Sequence, residues 1–311
     1  MSAARVEMFD DPAAFLAAAG EHLAADPVVG TVLTTRVVRA VAEVAAGVAQ
    51  DPRSWYAVAR DAGGAVRGAA MRAVPSGARP VYVLPMPGAA ARALARLLHE
   101  RGEEVHAVNG ALPAARVVAE ETARLTGGAG VEVRLRTRLM QLTRPPADVP
   151  VPPGRLRPAR ADEVDLCLAW FAEFAADADR QAGRGSGHVP VTEDRDSMLR
   201  NRVLPGRLLL WEDPSGEVVH LTGVNAPALG VARIGPVHTP ERHRGRGLAA
   251  AAVAEVSRRL LADGVRPCLF TDADNPVSNA LYERLGFEPV AETADLAVRP
   301  GPGEGPRLGT S

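Results

Sequence analysis

The chain predicts an α/β (α+β) protein built from two halves of similar length. Apolar residues alternate between strand-like period 2 and helical spacing through both halves of the 311-residue chain. Residues 144–154 read RPPADVPVPPG, five prolines in eleven positions, which neither a helix nor a sheet interior accommodates. The order of elements after this stretch also echoes the order before it. The division expected is therefore 1–143, a linker at 144–154, a second domain at 155–298, and a disordered Gly/Pro-rich tail at 299–311.

In the second half, residues 155–157 read as a short strand ended by Pro158. A helix follows over 161–179, with Val164, Leu168, Phe171 and Phe174 at helical spacing. Residues 180–191 are a Gly-containing loop whose composition suits a lid and equally a mobile loop without a functional role. Residues 192–203 form a helix with Thr192 as N-cap and Glu193 and Asp194 in the first turn. Strands at 207–212 and 217–225 are joined by Asp213-Pro214-Ser215-Gly216, and a third runs over 230–239. Leu248, Ala252, Val256 and Leu260 make one stripe of a helix over 248–262, stopped by Gly264. A buried strand at 266–271, a helix at 276–285 closed by Gly286, and a last strand or pair at 287–298 complete this half.

The first half reads as a helix at 29–49, strands at 55–60, 65–74 and 80–86, a helix at 88–101 before Gly102, a strand at 105–109, a helix at 113–126 and an alternating strand at 131–143.

Bulk properties narrow the function classes. The formal net charge is −1, which favours neither nucleic acid nor an anionic membrane as partner. All 36 basic residues are Arg, so the chain has no ε-amine of its own to be acylated. Cys167 and Cys268 lack metal-ligand spacing and sit in apolar patterns, as buried hydrophobes rather than nucleophiles or a disulfide. No metal is expected. No apolar run reaches membrane-span length and the N-terminus carries no signal pattern, so a cytoplasmic location is expected.

The chemistry concentrates in 232–290. A strand runs into Arg242-His243-Arg244-Gly245-Arg246-Gly247-Leu248, a turn opening a helix. A helix N-terminus offers unpaired backbone N–H groups and partial positive charge, the combination that holds phosphate. Gly245 and Gly247 permit positive φ and a close approach of phosphate to the backbone, and Arg242, Arg244 and Arg246 add charge. The same residues in isolation also describe an ordinary Gly-rich turn with solvated arginines. Context separates the two, because Asn275 and Tyr282 follow seven residues apart, two helical turns, so that both can face one cleft.

This combination resembles the acyl-CoA signature of the GNAT superfamily of N-acetyltransferases, Arg/Gln-x-x-Gly-x-Gly/Ala, read here as Arg242-x-x-Gly245-x-Gly247. The resemblance implies two tandem GNAT-like domains, each a mixed, mostly antiparallel central sheet flanked by helices. In the first half the equivalent turn is Pro85-Met86-Pro87-Gly88-Ala89-Ala90-Ala91, with one glycine and no arginine, so this copy is degenerate.

The resemblance further implies acetyl-CoA as acyl donor substrate and direct transfer to an amine. Residues 242–248, His243 and Leu248 included, would hold its phosphates. Gly235 and Val237 would hold the pantetheine arm and polarise the thioester, with Gly235-Pro236 suiting a strand end or bulge. Asn275 would bond the arm or cap its helix. Tyr282 would protonate the departing thiolate as general acid, since a phenol stays protonated at neutral pH. The general base is left open among Glu173, His220 and His238. The acceptor is a small-molecule amine or a protein amine, and the protein a monomer or homodimer. Two other readings remain: a non-catalytic acyl-CoA-binding sensor or interaction module, and a mycothiol-synthase-like acetyltransferase.

Overall fold

In the computed structural model, residues 4–72, 80–181 and 194–299 are described. The expected loop at 180–191, apart from its first two residues, and the tail after 299 lie outside them. The chain divides into two compact units, 1–137 with 291–311, and 138–290. This corrects the expected boundaries. The first unit takes its closing strand from the far end of the chain, and residues 144–154 belong to the second unit.

The first unit begins with β1 (Arg5–Phe9), α1 (Pro12–Ala25) and α2 (Thr31–Ala45). β1 and α1 were not foreseen, and α2 starts two residues later and ends four earlier than expected. Asp11 caps α1 by accepting from the N–H of Ala13 and Ala14, with Pro12 at the first helical position. Then come β2 (Trp55–Arg60), β3 (Val66–Arg72), β4 (Val81–Val83), α3 (Gly88–Glu100), β5 (Ala107–Ala111), α4 (Ala114–Thr126) and β6 (Gly130–Gln141).

The strand order is β1-β2-β3-β4-β5, followed by β12 (Glu288–Arg299) and β6. β12 is antiparallel to β5, with Thr293 opposite Ala111 and Ala297 opposite Ala107. Its Ala294, Leu296 and Val298 sit in one core with Leu94, Leu98, Val108 and Val118. That shared burial is why the chain's end closes this unit; the proline-rich stretch, the strongest break in the sequence, does not mark the true division.

β4 stays paired with β5 to its last residue, Val83 opposite Gly110. Gly110 has φ +140°, and a Cβ there would stand 2.0 Å from the Val83 carbonyl oxygen. Only glycine fits.

The second unit holds β7 (Arg155–Pro158), α5 (Val164–Gln181), the short α6 (Arg195–Met198), β8 (Leu208–Glu212), β9 (Val218–Val224), β10 (Val231–His238), α7 (Leu248–Ala262), β11 (Arg266–Asp272) and α8 (Pro276–Leu285). A 3-10 turn at Ala161–Glu163 leads into α5, so the expected helix at 161–179 begins tighter and later. The strand order is β11-β10-β9-β8-β7, with the end of β6 beside β11. Every neighbouring pair in the run β10-β9-β8-β7 is antiparallel, while β10 and β11 are parallel.

The cap of α6 is Asp194, whose carboxylate accepts from Ser197 N–H at 2.8 Å. Thr192, expected in that role, lies outside the described residues. After Met198 the chain continues as a wider π-type turn over Leu199–Val203. Glu163 and Glu212 clamp Arg157 at 2.7 Å each, a buried junction that ties β7 to β8 and to the start of α5. Among the described residues no helix is long and apolar enough to cross a membrane.

Replacing Gly110 with Ala forces the backbone contact with Val83 and a strained φ together. Unfolding in urea should show a loss of roughly 2–4 kcal/mol. A variant as stable as the parent would mean that β4 and β5 do not pair this closely.

Candidate functional site: the cleft between β10 and β11

β10 and β11 run side by side only from Val231–Arg266 to Ile234–Leu269. Beyond Ile234, β10 keeps its pairing with β9 alone, through Val237–Thr222 and His238–Leu221, after a register shift between Ile234 and Val237. Gly235 lies in that shift at φ +152°. The opposite residue must be small too, since a Cβ on Gly223 would stand 2.6 Å from the Gly235 carbonyl oxygen. β10 is thus held from one side while its other edge parts from β11 over Gly235–His238, leaving backbone groups facing a cleft.

Two buried side-chain oxygens belong to this end of β11: Thr271 Oγ1 and Asn279 Oδ1. Neither has a hydrogen-bond partner among the described residues. Asn279 is 8% exposed, and its amide nitrogen donates to the carbonyls of Asp272 and Ala273 at 3.2 and 3.1 Å. Asn279 thus ties the start of α8 to the end of β11.

From His238 the chain passes through a 3-10 turn, Glu241–His243, into the glycine turn. Gly245 and Gly247 take φ +76° and +78°, and Gly247 stands at the N-cap of α7. The helix's first accepted bond comes from Ala251 N–H to the Gly247 carbonyl at 3.0 Å. The N–H groups of Leu248, Ala249 and Ala250 therefore have no carbonyl one turn back within the helix. The signature also fits two residues further on, as Arg244-x-x-Gly247-x-Ala249. That frame puts its last two positions in the first turn of α7, where the amides are.

The arginines around the turn are held. Arg242 donates to Glu217 at 3.2 Å. Arg244 bonds the Thr239 carbonyl at 3.0 Å and pairs with Asp177 of α5. Arg246 donates to Nδ1 of His243 at 3.0 Å, so Nε2 of that ring carries the proton it gives to Glu217, 3.2 Å away. His243 is buried with both nitrogens occupied, so its side chain braces the loop rather than reaching a ligand.

At the other end of the parted edge, His238 is 3% exposed, and its Nε2 lies 3.2 Å from a carboxylate oxygen of Glu173, an exposed residue on α5. The Trp170 ring flanks the imidazole, centroids 5.8 Å apart. Burial lowers the His238 pKa, opposed by its bond to Glu173 and the charges of Asp177 and Glu173. The imidazole is thus neutral at neutral pH, and with Nε2–H given to Glu173 its lone pair is on Nδ1.

His220, the other histidine considered, is fully buried between Thr239 Oγ1 and Thr222 Oγ1, each at 2.7 Å. Burial pushes its pKa down to about 3, which removes it as a base.

Tyr282 sits in the core of the second unit against Phe287, ring centroids 6.0 Å apart, and burial raises its pKa to about 12. Asn275 caps α8, its oxygen accepting from Val277 and Ser278 N–H at 3.1 and 3.2 Å. Of the two roles expected for it, the structure displays the cap. Cys167 and Cys268 are buried, and desolvation lifts the Cys167 thiol to about 12. Among the described residues no group of three His, Cys, Asp or Glu could hold a metal ion.

Comparison with known proteins agrees with this geometry. Residues 225–295, which include the parted strand, the glycine turn and α8, match the family described as FR47-like protein. No curated protein matches the chain. Among solved structures, a GCN5-related N-acetyltransferase from Sphaerobacter thermophilus is similar over 96% of this chain and 97% of its own, with 21% identity and a TM-score of 0.58. A Drosophila protein is similar over 96% and 99%, with 13% identity and a TM-score of 0.60. An acetyltransferase of the GNAT family from Colwellia psychrerythraea aligns over 95% and 99%, with 13% identity and a TM-score of 0.52. The chain is a protein of the GNAT fold, mixed α/β with a mostly antiparallel sheet flanked by helices. Its FR47-like segment coincides with the cleft.

The two cleft-side histidines should differ in NMR. His220 should keep neutral-imidazole shifts down to pH 5, as its pKa of about 3 requires. Titration of His220 near its ordinary value would show that the Thr222–His220–Thr239 chain is open to water.

Proposed function

We propose that the protein is an acetyl-CoA-dependent N-acetyltransferase that moves the acetyl group directly from the CoA thioester to an amine. The observation that carries this reading is the parting of β10 from β11 at a point that leads within a few residues to the amide-rich turn of α7. A thioester with a long polar arm and a diphosphate needs those two features in that order. Backbone N–H and C=O groups line the arm, and a helix N-terminus takes the anion.

In this reading Gly235 and Val237 border the arm. Residues 242–248 border the diphosphate, which is held mainly by the amides of Leu248, Ala249 and Ala250 that open α7. The acceptor nitrogen attacks the thioester carbonyl, a C–N bond forms, the C–S bond breaks, and the oxyanion is held by backbone N–H.

The proton lost by the amine passes to His238, which Glu173 orients. Tyr282 gives its proton to the CoA sulfur as the thiolate leaves. The buried thiols have no part in this. Acetyl-CoA is a substrate, and the acceptor is a small-molecule or protein amine. A binder without turnover would use the same turn but would have no need of the Glu173–His238 pair beside the cleft.

Three measurements test the reading. The protein with acetyl-CoA and a panel of primary amines should release CoA thiol; tight cofactor binding without release on any amine would favour the sensor. Tyr282→Phe should lower kcat by about a hundredfold while the Kd for acetyl-CoA stays unchanged; equal rates would remove its role as acid.

The kcat of the parent should fall on acidification only below the ordinary imidazole value of about 6.5, since burial favours the neutral ring of His238. Glu173→Gln removes a negative charge that raises that pKa, so the acid limb should move to still lower pH and the plateau should drop. An acid limb that stays in place in this variant would separate Glu173 from the base.

A further inference from the structure

We infer that His220 is a positioning residue for the base of the proposed transfer: by holding the hydroxyl of Thr239 it fixes the end of β10, and with it the backbone of His238. The inference rests on the N-acetyltransferase reading above. It adds a residue that acts through the backbone rather than on the reacting atoms.

The need for such a hold follows from the cleft itself. A strand inside a sheet is fixed by ladders on both edges, and β10 has lost the β11 ladder beyond Ile234. On the β9 side only Val237–Thr222 and His238–Leu221 pair after the register shift. His238 is thus the last paired residue of a strand held on one edge. A strand end with so few bonds opens readily unless something else secures it.

Thr239, the next residue, is secured twice. Its Oγ1 bonds Nδ1 of His220 at 2.7 Å, and its carbonyl accepts from Arg244 Nε at 3.0 Å. Arg244 in turn pairs with Asp177 of α5, the helix that also carries Glu173. His220 is itself anchored, since its Nε2 bonds Thr222 Oγ1 at 2.7 Å, and both His220 and Thr222 are fully buried. A neutral imidazole has one N–H and one lone pair, so one threonine accepts from the ring and the other donates to it. An apolar side chain at 220 would fill the space without a bond to Thr239. A buried polar chain with every member satisfied specifies one arrangement.

The hold and the imidazole lie on opposite faces of the sheet. Leu221, opposite His238, packs in one core with Cys167 and Trp170, and Trp170 flanks the His238 ring. Alternation along β9 turns His220 and Thr222 to the other face. His220 therefore reaches His238 through the backbone of Thr239, while Glu173 holds the ring itself at 3.2 Å.

NMR of the imidazole nitrogens in the full chain tests this without any turnover. The parent should show His238 as one tautomer, with the proton on Nε2 toward Glu173. Thr239→Val keeps the shape and removes the hydroxyl. It should give mixed tautomers at His238 and, with an accepted amine, lower kcat by about tenfold while the Kd for acetyl-CoA stays unchanged. Thr239→Ser, which restores the hydroxyl, should return both readouts to those of the parent. Thr222→Val cuts the same chain one bond further in and should show both changes to a smaller degree, so that either valine variant decides if the other does not fold. A Thr239→Val protein that is less stable in urea yet keeps the parent's His238 tautomer and kcat would overturn the inference. A parent that acetylates no amine would overturn the transferase reading, and the His238 tautomer would still decide whether His220 holds the end of β10.

Discussion

The site depends on one constraint: β10 has hydrogen-bonding partners on both edges only as far as Ile234. Were the strand paired to its end on the β11 side, the groups of Gly235–His238 would be consumed in a ladder and no cleft would exist. Gly235 and Gly223 permit the irregular pairing with β9 that holds β10 while its other edge is released. The glycine turn and the opening of α7 lie downstream of that release.

The first unit shows the opposite solution in a similar order of elements. Its β4 is three residues long and stays against β5 to the last pair, where Gly110 allows the backbones to touch. The turn that follows, Pro85-Met86-Pro87, carries neither the second glycine nor the arginines of its counterpart.

Much of this was legible in the sequence because it is local. The stripe of α7, the Gly286 stop of α8 and the glycine turn all depend on residues within a few positions of one another. What was not legible depends on distant partners. That β12 closes the first unit rests on Thr293–Ala297 meeting Ala107–Ala111, a pairing no local pattern announces. The proline-rich stretch looked like a spacer because its composition resists regular structure; its anchoring through Leu285, Arg258 and Trp211 is invisible without coordinates. The candidate histidines divide in the same way. His220 and His238 look alike in sequence, and only burial between two threonines, or beside Glu173, distinguishes them.

The most direct test of the account is to follow backbone amide resonances while acetyl-CoA is added. The largest changes are expected at Gly245, Gly247, Leu248 and Ala249, with a second group along Gly235–His238. Changes confined to other parts of the chain, or none at saturating acetyl-CoA, would contradict it.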